Sequence, residues 1–317
     1  MDKRKKLISI ITPCYNEEEN VKDLYLRVKD IMKKSDKYEY EHIFIDNASQ
    51  DKTVEILKGL AEKDRNLKII VNIKNFGHFC SPHHAILQAK GDAVITLAAD
   101  LQDPPEMIND FLKYWEEGHM IVIGVKPTSK ENPIMFMLRK LYYKTIKRIS
   151  ETEHIANFTG FGLYDRSFVD VIKNLKEPYP YFRGLVAQYG VNRKEIEYVQ
   201  PKREKGKSHN NFYTLYDAGM LGFVNHSKVP LRLASFIGFA VATLSLLIAL
   251  GYLIYKIVFW STFQVGVAPL VIGLFFFSSI QLFFIGILGE YIGAIYTQVK
   301  DRPLVIEKER INFDQEN

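Results

Sequence analysis

Cysteine is scarce in this chain, and charge is absent from two long stretches. Cys14 and Cys80 lack the spacing of metal ligands, which excludes a zinc module and a disulfide-rich scaffold. Residues 233–255 and 257–289 contain no Asp, Glu, Lys or Arg. Each stretch exceeds the roughly 20 apolar residues that cross a bilayer, so two transmembrane helices are predicted. The alternative is a pair of core helices in a large soluble domain, although core helices are rarely this long without charge.

Basic residues flank the two apolar stretches. Lys228 and Arg232 precede the first, Lys300 and Arg302 follow the second, and the segment WSTFQVGVAP between them carries no charge. The positive-inside rule therefore predicts that both termini lie in the cytoplasm. Lys256, near the far end of the first stretch, can snorkel to the interface. A net charge of +5, concentrated near the membrane, suits a lipid surface or a phosphate substrate better than nucleic acid.

The first hundred residues alternate apolar runs with helical patterns. LISIITPCYN, YEHIFIDNAS, LKIIVNI and DAVITLAAD have the character of buried strands, and helical spacing follows the first at Val21, Leu24, Val28, Ile31 and Met32. This alternation predicts an α/β fold, a mostly parallel sheet with helices on both faces. Ligands bind beyond the carboxyl ends of strands in such sheets. The loops PCYNEEEN, DNASQDKT and AADLQDPPE follow three of these ends and are expected to converge.

The remaining patterns divide the chain into further segments. Residues 133–150 have an apolar and a basic helical face, which fits a helix in the membrane interface or one packed on the domain core. We predict a cytoplasmic α/β domain over residues 1–210 and an interfacial helix over residues 211–230. Two transmembrane helices over residues 231–297 and a cytoplasmic tail over residues 298–317 complete the chain.

Several motifs resemble those of a known enzyme family. ITPCYNEEENV, IDNASQDKT, GDAVITLAADLQDPPEMI and KREKGKS are followed by VPLRLASFIGF and LGEYIGAIYTQVKDRPLVI. Together they resemble the family 2 glycosyltransferases that charge polyprenyl phosphates, the group of dolichol-phosphate-mannose synthase and bactoprenol glucosyltransferase. The likeness covers residues 8–306. It implies an A-type glycosyltransferase fold and an inverting transfer of sugar from a nucleoside diphosphate to polyprenyl phosphate, at the cytoplasmic face of a bacterial plasma membrane.

The resemblance assigns donor-side roles to the first two loops. Pro13 and Tyr15 would flank the base, Glu17 would bind the ribose hydroxyls and Asp46 would bind the base. A carboxylate that accepts hydrogen bonds from a vicinal diol is a reasonable pairing. The expected donor is a UDP-sugar rather than a GDP-sugar, carrying glucose or N-acetylglucosamine.

Asp100 and Gln102 are the predicted ligands of a divalent cation, Mg²⁺ or Mn²⁺. Negative charge develops on the diphosphate leaving group, and a cation held by oxygen ligands can offset it. An extended backbone would point both side chains to the same side. The resemblance gives both the metal role, with Ala98 at the position of a further Asp. Asp103 is a possible substitute for that Asp, but its side chain is expected to point elsewhere and to cap the following helix.

The resemblance places the acceptor phosphate on Lys126, Arg139, Arg203 and Ser208. Arg139 and Arg203 are, with Asp100, the predicted catalytic residues. Arginine suits bidentate phosphate recognition, whereas lysine acts as a point charge. Phosphate binding is favoured for Arg203 because KREKGKS is a basic loop with a glycine, which can close over an anion. Contact with solvent or lipid headgroups is an equal alternative for Lys126.

Three departures from the family pattern remove carboxylates. Ala98, Asn47 and Asn157 stand where the family has or often has Asp, and the last change removes a candidate base. A phosphate monoester is mostly a dianion at neutral pH, so the acceptor can attack without a base. Positioning and charge stabilisation then supply the rate. The alternatives are an impaired protein that binds nucleotide sugars as a scaffold, and a transferase that acts on a non-lipid hydroxyl.

Two further features complete the sequence expectations. His78, His83 and His84 follow the third strand, where packing or capping roles are expected, and only His78 is a candidate for contact with the nucleotide phosphates. The tail after Arg302 is a candidate contact with a second copy of the chain, which would make the protein a homo-oligomer.

Overall fold

The computed structural model describes most of the chain. It covers residues 4–126, 155, 157–175, 177, 180–190, 192–201, 229–259, 267–300 and 302–313. Arg139, Arg203 and Ser208 lie outside these residues, as do the amphipathic segment 133–150 and residues 211–228. The expectations for them stay predictions.

Eight strands and eight helices occur in the described residues. The strands are β1 Lys6–Cys14, β2 Tyr38–Asp46, β3 Leu67–Asn72, β4 Ala93–Thr96, β5 Ile121–Val125, β6 Phe158–Asp165, β7 Arg193–Glu197 and β8 Glu307–Ile311. The helices are α1 Val21–Lys34, α2 Thr53–Ala61, α3 Gly77–Gln88, α4 Ile108–Glu116, α5 Arg166–Leu175, α6 Phe182–Tyr189, α7 Val229–Val258 and α8 Val267–Val299. The first four strands and the helices between them confirm the predicted alternation.

The eight strands form one sheet in the order β7-β5-β6-β4-β1-β2-β3-β8. Its centre, β4-β1-β2-β3, is parallel. The pairs β4–β6, β5–β6 and β3–β8 are antiparallel, and β5–β7 is parallel. The predicted α/β class is therefore confirmed, as a mixed sheet with a parallel centre. Central parallel strands are buried on both faces, which explains the nearly continuous apolar run of β1.

Alternate residues of β1 face two different cores. Ile10 packs with Leu24 of α1 and Phe111 of α4, whereas Ile11 packs with Ile86 of α3 on the other face. Both isoleucines are fully buried. Successive side chains of a strand point to opposite faces, so one strand supplies both cores. Helices cover both faces of the sheet, as predicted.

Helices α7 and α8 are long and apolar enough to cross a membrane. The candidate spans are Leu231–Val258 and Ile272–Val299, with mean hydropathies of 2.3 and 2.1. Their side chains face outward: Phe239 is 75% exposed and Phe283 is 67% exposed. A core helix of a soluble domain would bury these side chains. The alternative of two soluble core helices therefore disagrees with the structure.

The chain returns to the sheet after α8. Strand β8 pairs antiparallel with β3, an arrangement that the sequence patterns did not predict. Lys58 Nζ lies 2.6 Å from Glu309 Oε2, and His84 Nε2 lies 2.6 Å from Glu307 Oε1. Because β8 belongs to the same sheet as β3, the chain on either side of the α7–α8 pair lies on one side of any membrane that both helices cross.

Asn312 holds the end of the tail against the connection between α2 and β3. Its Nδ2 lies 2.9, 3.2 and 2.8 Å from the carbonyl oxygens of Ala61, Asp64 and Leu67. The last carbonyls of a helix lack partners within the helix, and this amide donates to that region. Asn312 has a φ of 60°, in the left-handed region that asparagine tolerates better than most residues.

We predict that Asn312→Asp detaches the tail. The substitution keeps the shape of the side chain but places a carboxylate oxygen against three carbonyl oxygens, which should cost about 1–3 kcal/mol of unfolding free energy. Hydrogen exchange of the β8 amides should accelerate. Asn109→Asp is the control, because Asn109 is exposed on α4. Equal exchange of β8 in the two variants would contradict the assigned contact.

Candidate active site

The parallel strands bring three loops to one edge of the sheet. Cys14, the last residue of β1, is in register with Asp46, the last residue of β2. Thr96, the last residue of β4, is in register with Ile11 of β1. The N–H of Asn47 donates to the carbonyl of Cys14 at 2.9 Å. The predicted convergence of the loops is therefore confirmed.

The loops after β1 and β2 bind each other reciprocally. The N–H of Asn16 donates to Ser49 Oγ at 2.9 Å, and the N–H of Gln50 donates to Asn16 Oδ1 at 2.8 Å. The N–H of Lys52 donates to Glu18 Oε2 at 2.9 Å. Each loop thus satisfies backbone donors of the other, so the two predicted nucleotide-binding loops form one unit.

The two predicted donor-side carboxylates are buried. Asp46 is 0% exposed and accepts bonds from the N–H and hydroxyl of Ser49. Burial raises the pKa of Asp46, and the bonds from Ser49 offset part of that rise. Glu17 is 9% exposed and accepts a 2.6 Å bond from Asn20 Nδ2. In this structure both carboxylates shape their loops, while the neighbouring Pro13 lines a cavity.

Asn47 is the centre of an amide network. Its Nδ2 donates to Asn75 Oδ1 at 2.8 Å and to the carbonyl of Gly77 at 3.2 Å. Its Oδ1 accepts from Asn72 Nδ2 at 3.1 Å and from the N–H of Phe76 at 2.9 Å. A carboxylate has no N–H to donate, so an Asp could not make the first two bonds. Asn47 therefore stabilises the loop before α3 through hydrogen bonds that an Asp could not donate.

Asp100 and Gln102 follow β4 in a tight turn. The N–H of Gln102 donates to Asp100 Oδ1 at 3.2 Å. Leu101 between them has a φ of 58°, in the left-handed region. The backbone is therefore not extended between Asp100 and Gln102. The expectation that an extended backbone points both side chains to the same side is wrong. The metal role of the pair stays a prediction.

Asp103 does not cap the following helix, contrary to expectation. The 3-10 turn before α4 begins after Pro104 and has no side-chain cap. Instead Asp103 is 6% exposed, accepts a 2.7 Å bond from the Tyr198 hydroxyl and lines the cavity beside Ala98. Burial raises the pKa of Asp103, and the Tyr198 bond and the charge of Lys126 lower it in part. Lys126 thus lies within electrostatic range of this loop.

A cavity of about 250 Å³ opens beside the ends of β1 and β4. Typical ligand pockets measure about 300–1,000 Å³, so this cavity suits one part of a nucleotide sugar rather than the whole. Much of its wall is apolar, and polar groups come from six side chains: His78, His83, Thr96, Asp103, Thr159 and Arg183.

The histidines follow the sequence expectation in part. His83 is buried, and burial lowers its pKa to about 4. Burial, and then the charge of Arg183, lower the pKa of His78. Both rings line the cavity, whereas His84 contacts Glu307 of β8. Sequence reasoning did not identify Arg183, because one arginine in YFRGLVAQYG shows no pattern that separates it from a surface residue.

The parallel-centred sheet, with polar loops and a cavity at its carboxyl edge, agrees with the A-type glycosyltransferase fold that the motifs implied. Residues 9–172 match the model of glycosyl transferase family 2, and the chain belongs to that family. It is therefore a glycosyltransferase.

Relatives match along nearly the whole chain. The glycosyltransferase YkcC of Bacillus subtilis is 34% identical and spans 97% of each chain. The bactoprenol glucosyl transferase of Shigella phage SfII is 33% identical over 95% of this chain and 97% of that one. Among solved structures, the glucosyl-3-phosphoglycerate synthase of Mycobacterium tuberculosis has a TM-score of 0.49 and 14% identity, covering 69% and 78% of the two chains. The resemblance to bactoprenol glucosyl transferases is confirmed.

We predict that Asn47→Asp, which restores the residue frequent in the family, lowers stability. The carboxylate would face the carbonyl of Gly77 and the Asn75 oxygen without a proton to share, at a cost of about 1–3 kcal/mol. Denaturant unfolding measures the change, with Asn109→Asp as the control for a new charge. A variant as stable as the control would show that the network does not depend on the donated bonds.

Proposed function

We propose that the protein transfers a sugar, glucose or N-acetylglucosamine, from a nucleoside diphosphate to polyprenyl phosphate. UDP is favoured over GDP as the nucleotide. The observation that carries this proposal is the similarity to bactoprenol glucosyl transferases over 95% of the chain, including α7 and α8. A match limited to the α/β domain would support a nucleotide-sugar donor alone, whereas this match extends through the apolar helices.

In this proposal α7 and α8 anchor the enzyme in the plasma membrane of a bacterium. Their apolar, outward-facing surfaces support it. Strand β8 requires both ends of the helix pair to share one side, and the flanking Lys228, Arg232, Lys300 and Arg302 favour the cytoplasmic side. The active-site edge then acts on a lipid in the cytoplasmic leaflet.

The donor would bind at the carboxyl edge of the sheet. Pro13 and Tyr15 would flank the base, with Glu17 at the ribose and Asp46 at the base. The reciprocal bonds between the two loops support this role, because a rigid binding surface loses less entropy when ligand binds. The buried Asp46 would act through the loop that it shapes, or after a local change that exposes it.

Mg²⁺ or Mn²⁺ would be held by Asp100 and Gln102. No group of three His, Cys, Asp or Glu side chains able to hold a metal occurs in the described residues. Mg²⁺ commonly takes one or two carboxylates and completes its shell with substrate phosphates and water, so an oxygen pair fits this ion. When bound, it would offset charge on the diphosphate.

The acceptor phosphate would lie near Lys126, with Arg139, Arg203 and Ser208 as further predicted contacts. Its dianionic oxygen would attack the anomeric carbon from the face opposite the leaving group, which inverts the configuration. Asn157 lies beside Lys126, whose N–H donates to the Asn157 carbonyl at 3.4 Å. An anionic nucleophile has no proton to lose, so the absence of a carboxylate at position 157 is compatible with turnover.

We predict that Asp100→Asn lowers turnover by about 100-fold or more, the scale for losing one group that stabilises charge in the transition state. A chelator should abolish the wild-type activity, and Mg²⁺ or Mn²⁺ should restore it. The assay supplies radiolabelled UDP- and GDP-sugars with undecaprenyl phosphate and counts label extracted into chloroform–methanol. Asp110→Asn, an exposed change on α4, is the control.

The other outcomes separate the alternatives. Binding of a nucleotide sugar without turnover of any donor would favour the scaffold. Labelled product that resists organic extraction would favour a hydroxyl acceptor on a protein or polysaccharide.

A further inference from the structure

We propose that Arg183 forms a phosphate-binding subsite in the cavity, a role that rests on and deepens the proposed function. Arg183 is the second residue of α6, and it lines the cavity together with His78 and His83 of α3. The cavity also borders the loop that holds Ala98 and Asp103. The subsite therefore lies between the β4 loop and α6, within the glycosyltransferase fold.

The charge of Arg183 lacks a counterion in the described part of the chain. No carboxylate there lies within ion-pair distance of its guanidinium, whereas Arg193, farther along the chain, contacts Glu195 at 3.0 Å. Asp103, on the same cavity wall, accepts its bond from Tyr198 instead. A guanidinium presents five N–H donors and is always charged, and Arg183 is half-buried, so a bound anion would replace the water that otherwise solvates this charge.

The surroundings of Arg183 favour an anion. Burial, and then the charge of the nearby Arg183, lower the pKa of His78, which favours the neutral ring, and a neutral ring can hydrogen-bond a ligand. His83 Nδ1 is buried and has no hydrogen-bond partner within the described residues. Helix α6 has no side-chain cap, so its first N–H groups add partial positive charge at the same place.

The ligand chemistry is a phosphate group, which either substrate can supply. The donor brings a diphosphate and the acceptor lipid brings a monophosphate. The planar guanidinium can bind two oxygens of either group at once, and lysine cannot reproduce that geometry. Bound to the donor, Arg183 would stabilise the leaving diphosphate. Bound to the acceptor, it would orient the attacking oxygen.

The test measures initial rates of the full-length enzyme in detergent for wild type, Arg183→Gln and Arg183→Lys. One series varies the nucleotide sugar and the other varies undecaprenyl phosphate. We expect Arg183→Gln to raise the KM of one substrate about tenfold or more, with partial recovery in Arg183→Lys. The substrate whose KM rises identifies the source of the phosphate. Arg193→Gln, which removes an exposed ion pair, should leave both KM values unchanged.

A binding measurement separates this inference from the proposed function. Inorganic diphosphate and inorganic phosphate are added to each purified protein, and the Tm is recorded. At least one anion should raise the Tm of wild type and not that of Arg183→Gln. Unchanged KM values in both variants would overturn the subsite. If wild type turns over no donor, the proposed function fails, and equal Tm responses in wild type and variant would then overturn the subsite.

Discussion

The hydrogen-bonded register of the central parallel strands is the constraint on which the rest of the structure depends. It sets Cys14 level with Asp46, so the chain leaves β1 and β2 at the same height and the following loops can bind each other. Burial on both faces favours apolar residues such as Ile10, Ile11 and Phe44 in these strands, whereas the loops that follow are rich in polar residues. The proposed donor site depends on this register, because the register brings polar groups that are far apart in sequence to one edge of the sheet.

The structure shows what surrounds the positions at which this chain has Asn47 and Ala98 instead of an Asp. Asn47 uses both ends of its amide, which a carboxylate could not do. Beside Ala98, the buried Asp103 supplies a carboxylate to the same cavity wall, and the hydroxyl of Tyr198, the residue after β7, donates a hydrogen bond to it. The site is thus a rearranged set of polar groups. For the proposed acceptor, which is already an anion, cations such as Arg183 would matter more than a base.

The tail after α8 contacts the part of the domain that holds the candidate active site. Strand β8 lies beside β3, and Glu307 contacts His84 of α3, the helix that also brings His78 and His83 to the cavity. A domain linked to its membrane helices at one end only could tilt freely against the bilayer. In the proposed function, β8 would restrict that motion, because it joins the chain after α8 to the sheet.

Local patterns in the sequence predicted the strands and helices of the first hundred residues and the two apolar helices. The spacing of Val21, Leu24, Val28 and Met32 predicted the buried face of α1, and the absence of charge predicted α7 and α8. The sequence motifs also indicated the family. Tertiary structure alone decided the pairing of β8, the inward turn of Asp103 and the place of Arg183 in the cavity wall. The periodicity of apolar residues indicates which face of a segment is buried. These three features depend instead on which distant segment packs against it, and no local pattern encodes that contact.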